Sequence, residues 1–122
     1  MTRGEPEGLR RPPVESVERR DSGVVVRLGG ELDLYNSAEV GSALDEAGTG
    51  APPQLVVDLT EVVFVDSTAL GTLVEAKKGV PQGTRLVLAA PNAEVTRALE
   101  VSGLGQHFEV FDSVEDALAS TG

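Results

Sequence analysis

Residues 55–71, with the sequence LVVDLTEVVFVDSTALG, decide the fold of this chain. Residues 55–59 are almost entirely apolar, which is typical of a strand buried on both faces of a parallel sheet. A break is expected at the following Thr-Glu pair, after which the apolar run at 62–65 leads into Asp66. Leucine and valine then recur at helical spacing. The stretch therefore predicts a buried strand that is followed at once by a helix.

Strands and helices are expected to alternate along most of the remaining chain. Apolar runs bounded by Gly and Pro predict short strands, and polar residues before apolar periodic segments predict helix starts. Gly29-Gly30 is expected to interrupt the second strand, and Glu39 gives Asn36 the spacing of a capping box. The expected strands cover residues 14–17, 24–28, 55–59, 86–88 and 108–111, and the expected helices begin near Asn36, Asp66 or Ser67, Asn92, and Asp112 or Ser113.

This order of elements predicts an α/β fold. Strands that are joined through helices become parallel neighbours with right-handed crossovers. Only a short turn at residues 21–23 separates the first two strands, so these two should pair antiparallel. We therefore expect one mixed, mostly parallel sheet of about five strands, packed with about four helices.

Composition limits the chemistry that the chain can perform. The length of 122 residues suits one domain, and with aromatic residues at only 3% the core must be built from Val, Leu and Ala. The absence of Cys excludes a disulfide framework, a thiolate metal site and a cysteine nucleophile. His107 is the single histidine and has no neighbouring ligand pattern, and residues 103–105 lack the spacing of a phosphate loop. We expect neither a metal nor a cofactor.

The charge is strongly negative and unevenly placed. The net charge is -10, yet residues 1–20 hold five Arg against four Glu, so the acidity lies beyond them. Phosphates would repel such a domain, which argues against direct nucleic-acid binding. No segment has the apolar length of a signal peptide or a membrane span, so a cytoplasmic protein without membrane contact is expected. Residues 1–13, rich in Pro, Gly and charge, predict a flexible arm before a domain at 14–120.

Asp66 and Ser67 combine a helix start with a modifiable hydroxyl. One of the two should be the N-cap, because their side-chain oxygens can accept hydrogen bonds from the first helical turn. A phosphate on a hydroxyl at this place would add about -1.5 to -2 charges. The positive end of the helix dipole tolerates such an anion. Modification here would therefore change the surface that a partner meets without changing the fold.

Several motifs together resemble the STAS domain of bacterial anti-sigma factor antagonists. They are GELD at 30–33, LVVDL at 55–59 and VDSTALG at 65–71, followed by AEVTRALEVSGL at 93–104. The resemblance covers about residues 14–120. The phosphorylated serine of the family matches Ser67, with Thr68 as a minor candidate. Ala69 departs from the family pattern, in which Gly is common, and its methyl group is expected to narrow the approach to Ser67.

The resemblance implies a partner-switching role in bacterial stress response and transcription regulation. The unphosphorylated protein would bind an anti-sigma factor that is also a GHKL-type serine kinase, and would thereby free the sigma factor. Phosphorylation of Ser67 would end that binding, and a PP2C-type phosphatase would reverse it. A monomer or weak dimer is implied. Asn36 is expected to be mainly a helix cap and Leu70 mainly a core residue, within an implied partner surface of Glu31, Asp33, Asn36, Asp66, Ser67, Thr68, Ala69 and Leu70.

Two other function classes remain open from the sequence. The first is a STAS scaffold or assembly module in a stress-signalling or transporter-associated complex, in which Ser67 would never be phosphorylated. The second is an enzyme that uses Ser67 as a nucleophile. The second is disfavoured, because a nucleophilic serine needs a general base and the chain has one His and no Gly-x-Ser-x-Gly elbow.

Overall fold

The computed structural model describes residues 11–120. The arm expected at residues 1–13 therefore falls mostly outside the described residues. Its last part is attached to the domain: the carbonyl oxygen of Pro13 accepts a hydrogen bond from the Gly29 amide at 3.0 Å, and Arg11 forms an ion pair with Glu15. Within the described residues, no helix has the length and apolar character needed to cross a membrane.

The described chain forms one mixed sheet with helices on both faces. The strands lie in the order β1-β2-β3-β4-β5. The first pair is antiparallel and the other three pairs are parallel, as the sequence predicts. The elements are β1 Val14–Arg20, β2 Gly23–Leu32, α1 Ser37–Ala47, β3 Gln54–Val65, α2 Ser67–Gly79, β4 Arg85–Ala89, α3 Ala93–Ser102, a 3-10 helix Leu104–His107, β5 Val110–Phe111 and α4 Val114–Ala119.

Two apolar layers hold the sheet between its helices. On one face, strand residues such as Val57 pack with apolar residues of α1, α2 and α3. On the other face, Val25, Val56 and Val87 pack with Ala117 of α4. Alternate residues of a strand point to opposite faces, so the central part of β3 must be apolar at consecutive positions to supply both layers. This requirement explains the uninterrupted apolar run at 55–57.

Strands β2 and β3 are longer than the sequence suggests. Gly29-Gly30 does not interrupt β2, because the backbone passes through two register shifts against β3 and continues to Leu32. Gly30 takes a φ of 73°, which favours glycine, so the pair makes an irregularity within the strand. The Thr60-Glu61 pair likewise leaves β3 unbroken. Both strands therefore extend beyond β4, which ends at Ala89 opposite Asp58.

The last strand is shorter than predicted. A strand was expected over residues 108–111, but β5 consists of Val110 and Phe111 only. A 3-10 helix at 104–107 follows the left-handed Gly103 and precedes β5. Of the two alternatives for the start of α4, the structure has Ser113, whose hydroxyl accepts a hydrogen bond from the Asp116 amide at 3.0 Å.

Candidate functional site

The extended ends of β2 and β3 bring the predicted residues to one edge of the sheet. Leu32 pairs with Val65, so the two strands end side by side. The loop of residues 33–36 leaves β2 there and leads into α1. Asp66 follows β3 at the same level and leads into α2. The end of the GELD segment and the start of α2, which the implied partner surface groups together, therefore lie at one edge of the sheet.

Asp66 joins the loop to the start of α2. It is the N-cap: its Oδ1 accepts a hydrogen bond from the Ala69 amide at 2.9 Å. Its Oδ2 accepts another from the Leu34 amide at 3.1 Å, and its own amide donates to the Leu32 carbonyl at 3.1 Å. One carboxylate thus satisfies a free amide of the helix and a free amide of the loop. This decides between Asp66 and Ser67 as the cap.

Ser67 is the first residue of α2, and its side chain is exposed. Because Asp66 supplies the cap, the hydroxyl of Ser67 is not needed to begin the helix. The amides of the first turn have no acceptor within a helix, and the dipole is positive at this end. Thr68 is also exposed, and its carbonyl accepts a hydrogen bond from the Thr72 hydroxyl at 3.1 Å. Two accessible hydroxyl groups therefore lie at the positive end of α2.

Asn36 stands at the N-cap position of α1 but does not cap the helix with its side chain. Its buried amide spans the loop instead: Nδ2 donates to the Glu31 carbonyl at 2.8 Å, and Oδ1 accepts from the Asp33 amide at 2.9 Å. Because both ends of the amide are used in this way, the predicted capping box does not form. The Asp33 Oδ1 accepts from the Tyr35 amide at 3.0 Å, which tightens the same turn.

Some of the predicted site residues are exposed at the edge, and the others are partly or fully buried beneath it. Glu31, Ser67 and Thr68 are exposed, while Asp33 and Asp66 are half-buried. Ala69 is 4% exposed and Leu70 is 2% exposed, so both pack in the core and offer almost no surface. The Ala69 methyl group is therefore inside the protein and does not narrow the approach to Ser67. The residues that give the edge its shape are Asn36, Asp66, Ala69 and Leu70.

Three large apolar side chains at this edge were not predicted as site residues. Leu34 is 62% exposed, Tyr35 is 83% exposed and Phe64 is 46% exposed. The sequence signal was an adjacent Leu-Tyr pair inside a polar turn. Such a pair would normally be placed in a core, and nothing in its periodicity assigns it to the surface. Phe64 belongs to the apolar run at 62–65, yet it is exposed, because it lies opposite Glu31 beyond the end of β4.

An ion pair between Arg27 and Asp58 connects β2 to β3, at a distance from the edge of the sheet. Arg27 Nε donates to Asp58 Oδ2 at 3.1 Å. This hydrogen bond and the charge of Asp58 hold the pKa of Arg27 above its usual range. The same buried carboxylate accepts from the amide and the hydroxyl of Thr60, at 3.0 and 2.6 Å. Asp58 therefore stabilises the residues that follow it, which continue β3.

Comparisons with known proteins agree with this arrangement. The STAS domain family matches residues 15–117. The anti-sigma-F factor antagonist RsfB of Mycobacterium tuberculosis is 31% identical over 94 residues, which is 77% of each chain. An anti-sigma-B factor antagonist of Listeria monocytogenes is 34% identical over 98 residues, covering 80% of this chain and 86% of the relative. A crystal structure of an anti-sigma factor antagonist from Mycobacterium paratuberculosis superposes with a TM-score of 0.79 at 27% identity, covering 87% of this chain and 91% of that one. The chain therefore belongs to the STAS domain family, and its relatives include anti-sigma factor antagonists.

Proposed function

We propose that this chain is a cytoplasmic anti-sigma factor antagonist that is switched by phosphorylation of Ser67. The observation that carries the proposal is an exposed serine at the first position of a helix whose cap is already supplied by Asp66. The relatives named above are antagonists of an anti-sigma-F and an anti-sigma-B factor, which supports the same role.

In the proposed cycle, the unphosphorylated edge binds an anti-sigma factor that is also a GHKL-type serine kinase, and the sigma factor is released. The Ser67 oxygen then attacks the γ-phosphorus of ATP in the kinase. A Ser–O–P bond forms, the bond to the β-phosphate oxygen breaks, ADP leaves, and the hydroxyl proton passes to a base of the kinase. A PP2C-type phosphatase later hydrolyses the ester with water and restores the hydroxyl.

The size of a phosphate and the cost of burying its charge explain why phosphorylation would end binding. The edge already carries the carboxylates of Glu31, Asp33 and Asp66. A phosphate on Ser67 adds about -1.5 to -2 charges and the bulk of three oxygens at the same edge. A partner surface that is complementary to a small neutral hydroxyl would no longer fit, and it would lose any hydrogen bond made with that hydroxyl. The fold would remain, because Asp66 and not Ser67 caps α2.

The test is incubation with the anti-sigma factors of the source bacterium and ATP, followed by intact-mass measurement and site mapping. We expect the mass to increase by one phosphoryl group in the wild type and in Thr68→Ala, and not in Ser67→Ala. Ser67→Ala should stay bound to the kinase, and Ser67→Asp should bind weakly. Equal binding of wild type and Ser67→Asp, without phosphoryl transfer to Ser67, would contradict the switch and favour a scaffold.

A further inference from the structure

The exposed apolar residues at the edge form a surface of defined composition, here called the edge patch: Leu34, Tyr35 and Phe64. The Leu34 amide is bonded to Asp66, which directly precedes Ser67. Phe64 lies two residues before Asp66 in extended chain, where residues two apart share a face. Large apolar side chains that are exposed near one another are candidates for an interaction site. The edge patch therefore borders the proposed phosphorylation site.

The loop that carries two of these residues is held firmly in place. The Asn36 side chain spans it from the Glu31 carbonyl to the Asp33 amide, and Asp33 fixes the Tyr35 amide. These hydrogen bonds restrict the backbone that carries Leu34 and Tyr35. Preorganisation of this kind lowers the entropy loss on binding. Tyrosine is also among the residues that most often dominate the binding energy of an interface.

Charge around the edge patch indicates the chemistry of its partner. Residues 28–40 and 60–72 contain no Lys or Arg, and Glu61 is paired with Arg11 at 3.7 Å. Four further carboxylates remain in these two segments: Glu31, Asp33, Glu39 and Asp66. A second copy of this chain would present the same acidic border, and like charges across an interface oppose association. A partner with an apolar cleft bordered by Lys and Arg would match both features.

We propose that the edge patch is the apolar anchor of the complex, and that it inserts into a cleft of the anti-sigma factor bordered by basic residues. This inference rests on the proposed function and adds the residues that supply affinity. Tyr35 and Leu34 fill the cleft, Phe64 extends the apolar contact along β3, and the surrounding carboxylates guide the approach. Ser67 lies beside the anchor. A phosphate on Ser67 would therefore be placed next to residues that already contact the anti-sigma factor.

The first experiment measures binding of edge-patch variants to the anti-sigma factor that binds the wild type. We expect Tyr35→Ala and Leu34→Ala each to weaken binding by about tenfold or more, chiefly through faster dissociation. Val101→Ala is the matched control, because Val101 is 80% exposed on α3 and lies outside the edge patch. Binding within twofold of the wild type for every edge-patch variant, with unchanged circular dichroism, would overturn the proposal.

A second arm tests the basic border of the cleft. Glu31→Gln should slow association and reduce its dependence on salt, while dissociation changes little. Association that does not respond to salt would show that the cleft has no basic border. A concentration-dependent dimer of the wild type that Tyr35→Ala abolishes would assign the edge patch to self-association, and would contradict the proposed occupant.

Tyr35 also offers a direct observation of the contact. It is the only tyrosine, so incorporation of 3-fluorotyrosine gives a single fluorine NMR signal. We expect the signal to shift and lose solvent contact when unlabelled anti-sigma factor is added, and to return when Ser67 is phosphorylated. An unchanged signal in a complex that still phosphorylates Ser67 would overturn the anchor while leaving the switch in place. If no anti-sigma factor binds the wild type, both proposals fall.

Discussion

Asp66 illustrates how one side chain can carry both local and tertiary structure. Its two carboxylate oxygens accept from amides that lie on different elements, Ala69 in α2 and Leu34 in the loop. The sequence predicts that either Asp66 or Ser67 caps the helix, and the structure has Asp66. The bond to Leu34 could not be predicted, because it depends on β2 and β3 ending at the same level. Position 66 therefore links the edge patch to Ser67.

Replacing Asp66 should separate these two roles. Asp66→Ala removes both acceptors and should lower the free energy of unfolding by about 1–3 kcal/mol. Asn is an equally good N-cap, so Asp66→Asn keeps the bond from Ala69 and leaves an amide group facing the Leu34 amide, where two donors cannot pair. We expect a smaller loss for Asp66→Asn, measured by urea unfolding. An equal loss in both variants would mean that the cap contributes little.

The hydrogen bonds of the loop between β2 and α1 could not be predicted from the sequence pattern. Asn36 and Glu39 have the spacing of a capping box, and Asn36 does stand at the N-cap position. The side chain is nevertheless used across the loop, because the register shifts in β2 bring the Glu31 carbonyl within its reach. The sequence predicts an interruption at Gly29-Gly30, because Gly-Gly is a turn signal, whereas the structure has a strand irregularity there.

Loss of the Asn36 side chain should loosen this loop. Asn36→Ala leaves the Glu31 carbonyl and the Asp33 amide without their partner, which should cost about 1–3 kcal/mol of stability. The loop would then have to order on binding, so affinity for the anti-sigma factor should also fall.

Asn92→Ala is the matched control for Asn36→Ala. Asn92 likewise donates, to the Val62 carbonyl at 2.8 Å, and accepts, from the Val95 amide at 2.9 Å. Asn92 is exposed whereas Asn36 is buried, so Asn92→Ala should lower stability by about 0.5–2 kcal/mol, the usual cost of losing a cap, while leaving the affinity nearly unchanged. If the two variants lost affinity equally, the effect of Asn36→Ala would be one of stability alone.

Glycines in and after helices respond to substitution in opposite directions. Gly71 lies inside α2, and a Cβ added there meets nothing within 4 Å. Gly71→Ala should therefore stabilise the protein by about 0.5–1 kcal/mol, because alanine is the better helix former. Gly103 ends α3 with a φ of 75°, so Gly103→Ala should destabilise by about 1 kcal/mol or more although its surroundings are also open. Thermal unfolding of the two variants measures both changes: the melting temperature should rise for Gly71→Ala and fall for Gly103→Ala.

Most of the architecture could be predicted from the periodicity of apolar residues in the sequence. Alternating apolar runs and capped helices specify a mixed sheet with the first pair antiparallel, and the structure has it. The surface of the candidate site was harder to predict. Burial of Ala69 and Leu70 depends on which face α2 turns to the sheet, and exposure of Phe64 depends on β3 continuing past the end of β4. Both are properties of packing between elements distant in sequence.

A switch of this kind should act on the surface and leave the fold unchanged. Beneath the edge, Leu32, Val65 and Leu70 are buried in the main apolar layer, and none of them contributes its side chain to the exposed surface. Hydrogen exchange of the wild type before and after phosphorylation of Ser67 tests this. We expect unchanged protection in the central strands and altered protection only in the loop and the first turn of α2. There the added anion attracts free amides and repels the carboxylate of Asp66, which holds the Leu34 amide. Loss of protection along β3 or in the last turns of α2 would instead show that phosphorylation works by unfolding part of the domain.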